Sequence, residues 1–549
     1  HIQNMATKYR FQQLSKPLQN YYYLHSFDEP NPGLRAYFER VKSGSDEEYR
    51  TTFFKGKSLE SILKGWDGTL SKIEHTWPSL WEFENDLRKK VGPTSIMRPL
   101  RDRMDDVNSY YESILLDSKP IHVDAVEATV DWFSALRGLR PRSELRTFEV
   151  SKKSTNSGSP FFEKRRVAAR KTLPCDVSVG SWRGVPICSQ TLDGKDWLGA
   201  AILGWRGQEG GISKEDVKQR VVWMFPMAVN LQELRVYQPL IEGCQNLNLV
   251  PAWVGMEAVD KEITALFDTK GKNDLIICTD FSKFDQHFNP HMQDCAREIL
   301  SALLCGSDAS SWLEKVFPIK YNIPLVIQRG QVLFGRHGMG SGSGGTNADE
   351  TLVHRALQYE AAILHKSTLN PHSQCLGDDG LLSYPGITVD DVVQTYSSHG
   401  QEMNTDKQYA SKHDCTYLRR WHHKDYRVDN VCVGVYSTYR ALGRLAEQER
   451  YYDPDIWGAK MVALRQLSIL ENVRYHPLRE EFVDYCMKGD RYRLGIDIPG
   501  FLDNIEAEAK KATDLMPDFL GYTKSMSLEA RPEKSLGISN WWIVQHLKS

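Results

Sequence analysis

The sequence predicts an α+β fold, rich in helices, with a few short strands gathered around acidic turns. Three observations carry that expectation. Residues 375–383 read CLGDDGLLS, two aspartates in a glycine-flanked turn between apolar runs, the pattern of a strand–turn–strand. Upstream, LIICTDF (275–281) is an apolar run that ends at Asp280 and reads as a buried strand. Around these two features lie stretches of helical periodicity: MEAVDKEITALFD (256–268), residues 291–317, TLVHRAL (351–357) and VDDVVQTYSSHGQ (389–401).

The remaining elements follow in chain order. Residues 1–150 read as mainly helical, with cap-like serines opening SDEEYRTTF (45–53) and SLESILKGW (58–66). Residues 151–255 read as irregular and rich in Gly, Trp and basic groups. KGKND (270–274) is a turn, and YLRRW (417–421) and VCVGVYSTY (431–439) are strands. Residues 455–549 read as mostly helical and end in the apolar NWWIV (540–544). There is no internal repeat, and the GKS at 56–58 lacks the upstream glycine of a phosphate loop.

The 549 residues suffice for about three domains, and 41% apolar with 26% charged residues is globular composition. No run of eighteen apolar residues suggests a membrane span, and no apolar signal core suggests secretion. Ten cysteines without a CxxC pair point to reduced thiols. His422 and His423 follow Cys415, but a surface or RNA-facing pair is the better reading than zinc. A net charge of −2 excludes an overall basic coat, yet the bases are uneven. Segment 152–171 holds seven Lys/Arg against one Glu, and its Thr155, Gly158, Pro160 and Phe161–Phe162 suit a loop that grips a nucleic-acid backbone.

Carboxylates delivered from two backbone segments are what nucleotidyl transfer requires. Two divalent cations about 4 Å apart activate the attacking hydroxyl and neutralise the departing pyrophosphate. Mg²⁺ takes hard oxygen ligands, a few carboxylates together with phosphates and water. A strand ending at Asp280 beside a hairpin carrying Asp378 and Asp379 supplies them, with Gly377 and Gly380 relieving the turn. A bare DD turn is ordinary turn chemistry; the flanking apolar runs are what weaken that reading.

In order and spacing these motifs resemble the viral RNA-dependent RNA polymerases of right-hand fold, most closely those of picobirnaviruses, over residues 152–420. The resemblance implies fingers, palm and thumb with a small antiparallel palm sheet. DFSKFD (280–285) implies Asp280 as a ligand of both metals and Asp285 as the sensor of the ribose 2′-hydroxyl. SGSGGT (341–346) matches the second palm motif, with Ser341, Gly342 and Thr346 near nucleotide and RNA. Successive glycines would let backbone amides approach a phosphate or base pair. The family often places Asn or Asp four residues after that Thr; here Glu350 stands there and Asn347 follows Thr346, so either completes sugar discrimination. GDD (377–379) implies Asp378 as second metal ligand and Asp379 as auxiliary, and GQEMNTDKQ (400–408) implies Lys407 as general acid. YLRRW resembles the primer-grip hairpin. VKQRVVWMFP (217–226) places Lys218 and Arg220 on one strand face for the triphosphate, and TNSGSP (155–160) resembles the template-entry motif.

The expected activity is therefore template-directed RNA synthesis with two Mg²⁺ or Mn²⁺ ions. The expected partners are template and product RNA, NTPs and a viral capsid protein, for a monomer in the virion interior and host cytoplasm. The expected division is 1–95 bridging fingertips and thumb, 96–255 fingers, 256–430 palm with a fingers insertion near 290–335, and 431–549 thumb. The terminal NWWIV is expected in a last helix packed on the thumb, with a priming platform as the alternative. A reverse transcriptase ranks lower, because Asp285 stands where a bulky ring would exclude a 2′-hydroxyl and no spaced DEDD cluster follows. A decayed, non-catalytic polymerase ranks lower still, since all four motif aspartates remain.

Overall fold

The structure, a computed structural model, describes residues 7–10, 32–516 and 537–549. Its centre is a four-stranded antiparallel sheet in the order Gln374–Leu376, Asp379–Leu382, Ile276–Thr279, Tyr409–Ser411. Ile276–Thr279 is buried along its length, as an uninterrupted apolar run demands. Helices Pro290–Leu303, Thr346–Leu364 and Val389–Ser397 pack together beside the sheet. Helix Met256–Thr269 lies against the sheet with Val259, Ile263 and Leu266 buried, a spacing of three and four residues.

The segment read as irregular is instead rich in strands. Cys175–Trp182, Val185–Leu192 and Lys195–Gly199 form an antiparallel meander. A second sheet runs Thr7–Arg10, Gln331–Phe334, Leu325–Gln328, Ala201–Gln208, Lys218–Met224, so strands near 330 join strands near 205. The long helix Met227–Leu247 follows, with Pro239 inside it. Glycine and polar residues along these strands blur the alternation in the sequence pattern; pairing with neighbouring strands, local in the hairpins and long-range to Leu325–Gln328, makes them strands.

Of the cap-like serines, Ser58 does cap helix Leu59–Leu70, accepting from the Ser61 N–H. Ser45 opens no helix; its backbone bridges to Met97. YLRRW is a hairpin and not one strand: Asp414–Tyr417 and Arg420–His423 flank a turn in which Leu418 and Arg419 both have positive φ. Of VCVGVYSTY only Val435–Tyr436 is extended, and Thr438 already opens a helix capped by Ser437.

A second core joins chain positions far apart. Trp66, Leu70 and Leu80 pack with Leu442, Leu467, Phe482 and Ile543. The Trp66 Nε1–H donates to Thr438 Oγ1 at 2.8 Å. Glu84, fully buried on helix Pro78–Arg88, pairs with His476 at 3.0 Å and accepts from Ser437 and Thr438. On its other side the N-terminal segment meets the Ala201–Met224 hairpin. A Cβ on Gly92 would lie 1.5 Å from the Gly211 carbonyl, and one on Gly207 2.0 Å from that of Thr94. The described part of 1–95 thus ties the hairpin to the C-terminal helices; residues 1–6 and 11–31 lie outside the described residues, as do 517–536 of the C-terminal region.

Candidate active site

Register brings the predicted acids together. Thr279 pairs with Gly380, so the next pair along the two strands sets Asp280 beside Asp379 on one sheet face. Tyr409 pairs with Cys278 on the other side, and Lys407, at the end of the 3-10 turn Thr405–Lys407 just before that strand, lines the same cavity as Asp280. Gln408 fastens that edge: its Oε1 accepts the Asp280 N–H at 2.7 Å and its Nε2 donates to the Asp280 carbonyl at 2.9 Å. Asp280, Asp379 and Lys407 face a cavity of about 1080 Å³ shared with Lys218, Arg419 and Lys90.

Helix Thr346–Leu364 holds the GDD turn by its backbone. Thr351 Oγ1 accepts the Gly377 N–H at 2.9 Å, and His354 Nδ1 meets the Gly377 carbonyl at 2.8 Å. Burial drops the His354 pKa to about 4, so the ring is neutral and donates through Nδ1. A Cβ on Gly380 would fall 2.5 Å from this ring, which leaves only glycine there. Gly377 itself has φ +57, the left-handed region.

The acids crowd one another. Asp378 is exposed, yet desolvation by the surrounding protein raises its pKa. The charges of Asp285 and Asp280 add to that rise, and Arg220 opposes it. Asp379 is pushed up to about 7 by desolvation and by Asp378, against the Leu418 N–H that donates to its Oδ2 at 2.9 Å. Excess negative charge and hard oxygen donors fit divalent cations, which would relieve the repulsion. Among the described residues no three acidic, His or Cys side chains are grouped to hold a metal ion by themselves. An open set of carboxylates suits Mg²⁺, which keeps water and substrate phosphates among its ligands.

Lys218 and Arg220 occupy the exposed face of their strand, while Val221 and Trp223 are buried. Desolvation and the neighbouring Lys90 lower the Lys218 pKa, and Asp280 counteracts them. Lys90, from the N-terminal segment, carries no sequence signal of its own; only tertiary packing brings it here. The same holds for Arg419, whose pKa is lowered by burial and by Arg440.

Asp285 faces Glu350, not Asn347. Glu350 is buried, and its pKa rises well above the carboxylate range through desolvation and then the charge and hydrogen bond of Asp285. Asn347 is exposed, and its Oδ1 accepts the Trp253 Nε1–H at 2.8 Å.

The glycine-rich loop departs from its expected use. A Cβ on Gly342 would sit 1.6 Å from the Trp223 carbonyl, and one on Gly345 2.3 Å from the Tyr237 ring. Both glycines are therefore required by protein packed behind the loop rather than by an approaching phosphate. Ser341 Oγ meets the Val221 carbonyl at 3.3 Å and the Trp223 N–H at 3.4 Å, tying the loop to the Lys218–Met224 strand. Thr346 Oγ1 donates to the Gly340 carbonyl at 3.0 Å and closes the loop. In the 155–160 segment only Thr155 is exposed among the three residues expected at RNA. Gly158 (φ +61, a Cβ 2.9 Å from the Phe225 carbonyl) and Pro160 are buried, so they shape the turn and offer no side-chain surface to a strand. His422 is likewise fully buried, bonded to the Cys432 carbonyl at 3.0 Å, and is not a surface or RNA-facing group.

Comparison with known proteins agrees with this geometry. The sequence pattern of the viral RNA-dependent RNA polymerase family matches residues 207–432. A potential RNA-dependent RNA polymerase of human picobirnavirus (strain Human/Thailand/Hy005102/-) is 63% identical over 525 residues, 95% of this chain and 98% of that protein. The crystal structure of the RNA-dependent RNA polymerase of a human picobirnavirus is 60% identical, with a TM-score of 0.91 over 98% of this chain and 99% of that one. The insertion loop deletion mutant of a human picobirnavirus polymerase is 59% identical with a TM-score of 0.89, over 98% and 99% of the two chains.

Proposed function

The chain belongs to the RNA-dependent RNA polymerases of picobirnaviruses, and from that membership we propose how its residues divide the work of RNA-directed RNA synthesis. Polymerases of this family use divalent metal ions. We assign Asp280 and Asp378 to two of them, Mg²⁺ or Mn²⁺, with Asp379 as an auxiliary ligand whose second oxygen stays on the Leu418 amide. When bound, the ions supply charge neutralisation at the attacking and leaving oxygens.

The chain's own residues do the rest. Lys218 and Arg220 seat the triphosphate on one strand face. Asp285, held by Glu350, takes the ribose 2′-hydroxyl. Ser341, Gly342, Thr346 and Asn347 frame the nucleotide and the nascent pair, through the loop's shape more than by direct contact. The primer 3′-oxygen bonds to the α-phosphorus as the bond from that phosphorus to the pyrophosphate oxygen breaks. The hydroxyl proton leaves to water, and Lys407 Nζ delivers a proton to pyrophosphate. Thr155 contacts the template, with Gly158 and Pro160 holding its turn. The observation that carries this reading is the register that sets Asp280 beside Asp379, with Lys407 lining the same cavity.

The division into an N-terminal bridge (1–95), fingers (96–255), palm (256–430) and thumb (431–549) is supported by strands Leu325–Gln328 and Gln331–Phe334. They leave the palm segment for the sheet of Ala201–Gln208, with Leu325–Gln328 pairing to it directly, as a fingers insertion at 290–335 would. Among the described residues no helix is long and apolar enough to cross a membrane. We place the protein as a monomer working with a viral capsid protein, in the virion interior and host cytoplasm.

The test is incorporation of labelled ribonucleotides on single-stranded RNA with Mg²⁺, wild type beside Asp378→Asn. Product from wild type is expected, with a loss of at least about a thousandfold in the variant and RNA binding retained. Incorporation near the wild-type rate by Asp378→Asn would overturn the assignment.

A further inference from the structure

The glycine loop 340–345 rests on a charged group that no sequence motif marks. Glu233, on helix Met227–Leu247, is fully buried beneath it. Its Oε2 accepts from the Ser343 hydroxyl and its Oε1 accepts the Gly344 N–H at 3.2 Å. Asn230 Oδ1 accepts the same N–H at 3.1 Å, and Ser343 Oγ accepts the Gly345 N–H at 3.0 Å. On its outer side the same loop is fastened by Ser341 to the strand that carries Lys218 and Arg220. One loop thus connects a buried carboxylate to the strand proposed to seat the triphosphate.

We propose that Glu233 is a positioning residue for nucleotide addition: its carboxylate holds the inner side of the 340–345 loop, and so fixes where Ser341 to Thr346 stand relative to the incoming nucleotide. The inference rests on the polymerase reading above. A purely structural role is the competing account, since buried polar groups are generally bonded. The location argues against it. The bonds go to a glycine loop with no regular structure of its own, and a packed side chain could have filled this space without two acceptor oxygens.

The charge of Glu233 is conditional. Burial raises its pKa to about 7; the charge of Asp349 adds to that, while Lys320, Ser343 and the Gly344 amide oppose it. The groups facing it are Lys320 from Phe317–Tyr321, Asp349 from helix Thr346–Leu364, Tyr237 from its own helix and Cys188 from Val185–Leu192. Lys320 is engaged by Asp349 at 3.0 Å, and Asp349 also accepts from Tyr237 and Tyr321 at 2.7 Å, so Lys320 acts on Glu233 only at longer range and among the described residues Glu233 forms no salt bridge. Above the pKa both oxygens accept; below it one becomes a donor and the Ser343 hydroxyl loses its acceptor.

The experiment compares Glu233→Gln and Ser343→Ala with wild type in steady-state single-nucleotide addition from pH 6 to pH 8, with melting temperatures recorded alongside. Taking ratios cancels ionisations common to all three proteins, that of Asp379 included. The expected wild-type to Glu233→Gln ratio of kcat/KM for NTP is about tenfold at pH 8, the value of one charge-assisted hydrogen bond. It should close to within about twofold at pH 6, where wild type is itself protonated. Ser343→Ala should fall in the same direction at pH 8, and it keeps the question open to test if Glu233→Gln does not fold. Wild-type kcat/KM at pH 8 in both variants, whether or not their melting temperatures drop, overturns the proposal. Asp378→Asn, run in parallel, distinguishes that failure from failure of the polymerase assignment, which would show as activity retained there.

Discussion

At the scale of single residues, the sugar selection proposed for Asp285 turns on which neighbour it has. The sequence left Asn347 and Glu350 as alternatives, because both follow Thr346 closely on one helix. The structure separates them by burial: Glu350 is buried against Asp285, and desolvation together with that neighbour raises its pKa, while Asn347 is exposed and accepts from Trp253. The hydrogen bond between Glu350 and Asp285 holds the Asp285 carboxyl in place for the proposed contact with the 2′-hydroxyl. Glu350→Ala is therefore expected to lower the preference for ribo- over deoxyribonucleotides by about tenfold, and Asn347→Ala to change it by less than about twofold. Competing incorporation of the two sugars measures both, and the reverse order of effects would return the role to Asn347. The aspartates proposed to hold metal, by contrast, are legible in the sequence, since a carboxylate ending a buried strand has few structural reasons to be there.

Among elements, the two-stranded pair Tyr49–Arg50 with Glu447–Gln448 closes the N-terminal segment onto the C-terminal region. Glu447 is buried on it, with Arg50 3.8 Å away and Glu48 adjacent; burial, and then Glu48, push its pKa up to about 9. The folded chain therefore holds a proton that the unfolded chain gives up above about pH 4.5. Stability from that proton is full below this value and is lost progressively as pH rises towards 9. Glu447→Gln needs no such proton, so the melting temperature of the variant relative to wild type should rise steadily between pH 5 and pH 8.5; a difference independent of pH would refute it. No local pattern disclosed this pair, because strands of two residues have no periodicity to read. The sheets between 175 and 224 are hidden differently, by glycine and polar residues that blur their alternation, and the glycines of the loop at 340–345 are needed by Trp223 and Tyr237 behind it, which local sequence cannot show.

For the whole molecule, closure depends on the second core, where residues 53–91 pack with residues 421–547. The last helix, Trp542–Lys548, belongs to that core: Ile543 and Val544 are fully buried, and Trp541 nearly so. Glu471 caps it by accepting the Trp542 and Ile543 N–H groups at 3.3 and 3.0 Å. This is the packed helix expected from NWWIV, and the buried side chains are not available as a priming platform. Deleting 538–549 removes several buried apolar side chains worth about 1.5–3 kcal/mol each. The melting temperature is expected to drop by several degrees, with primer-independent initiation unchanged when assayed below the transition. Loss of initiation at unchanged stability would restore the platform.

What the sequence by itself determined was the chemistry: carboxylates at the ends of apolar strands, the basic strand at 217–226, and their order along the chain. These are local patterns, set by residues within a few positions of one another, and physical constraints on a strand or a tight turn are written there. The tertiary structure alone decided which groups meet. Glu350 reaches Asp285, Glu233 lies under the glycine loop, Lys90 enters the cavity of Asp280, and His354 holds the GDD turn through pairings between distant segments. Those pairings follow from burial and register, which depend on the whole chain closing around its two cores and which no window of sequence contains.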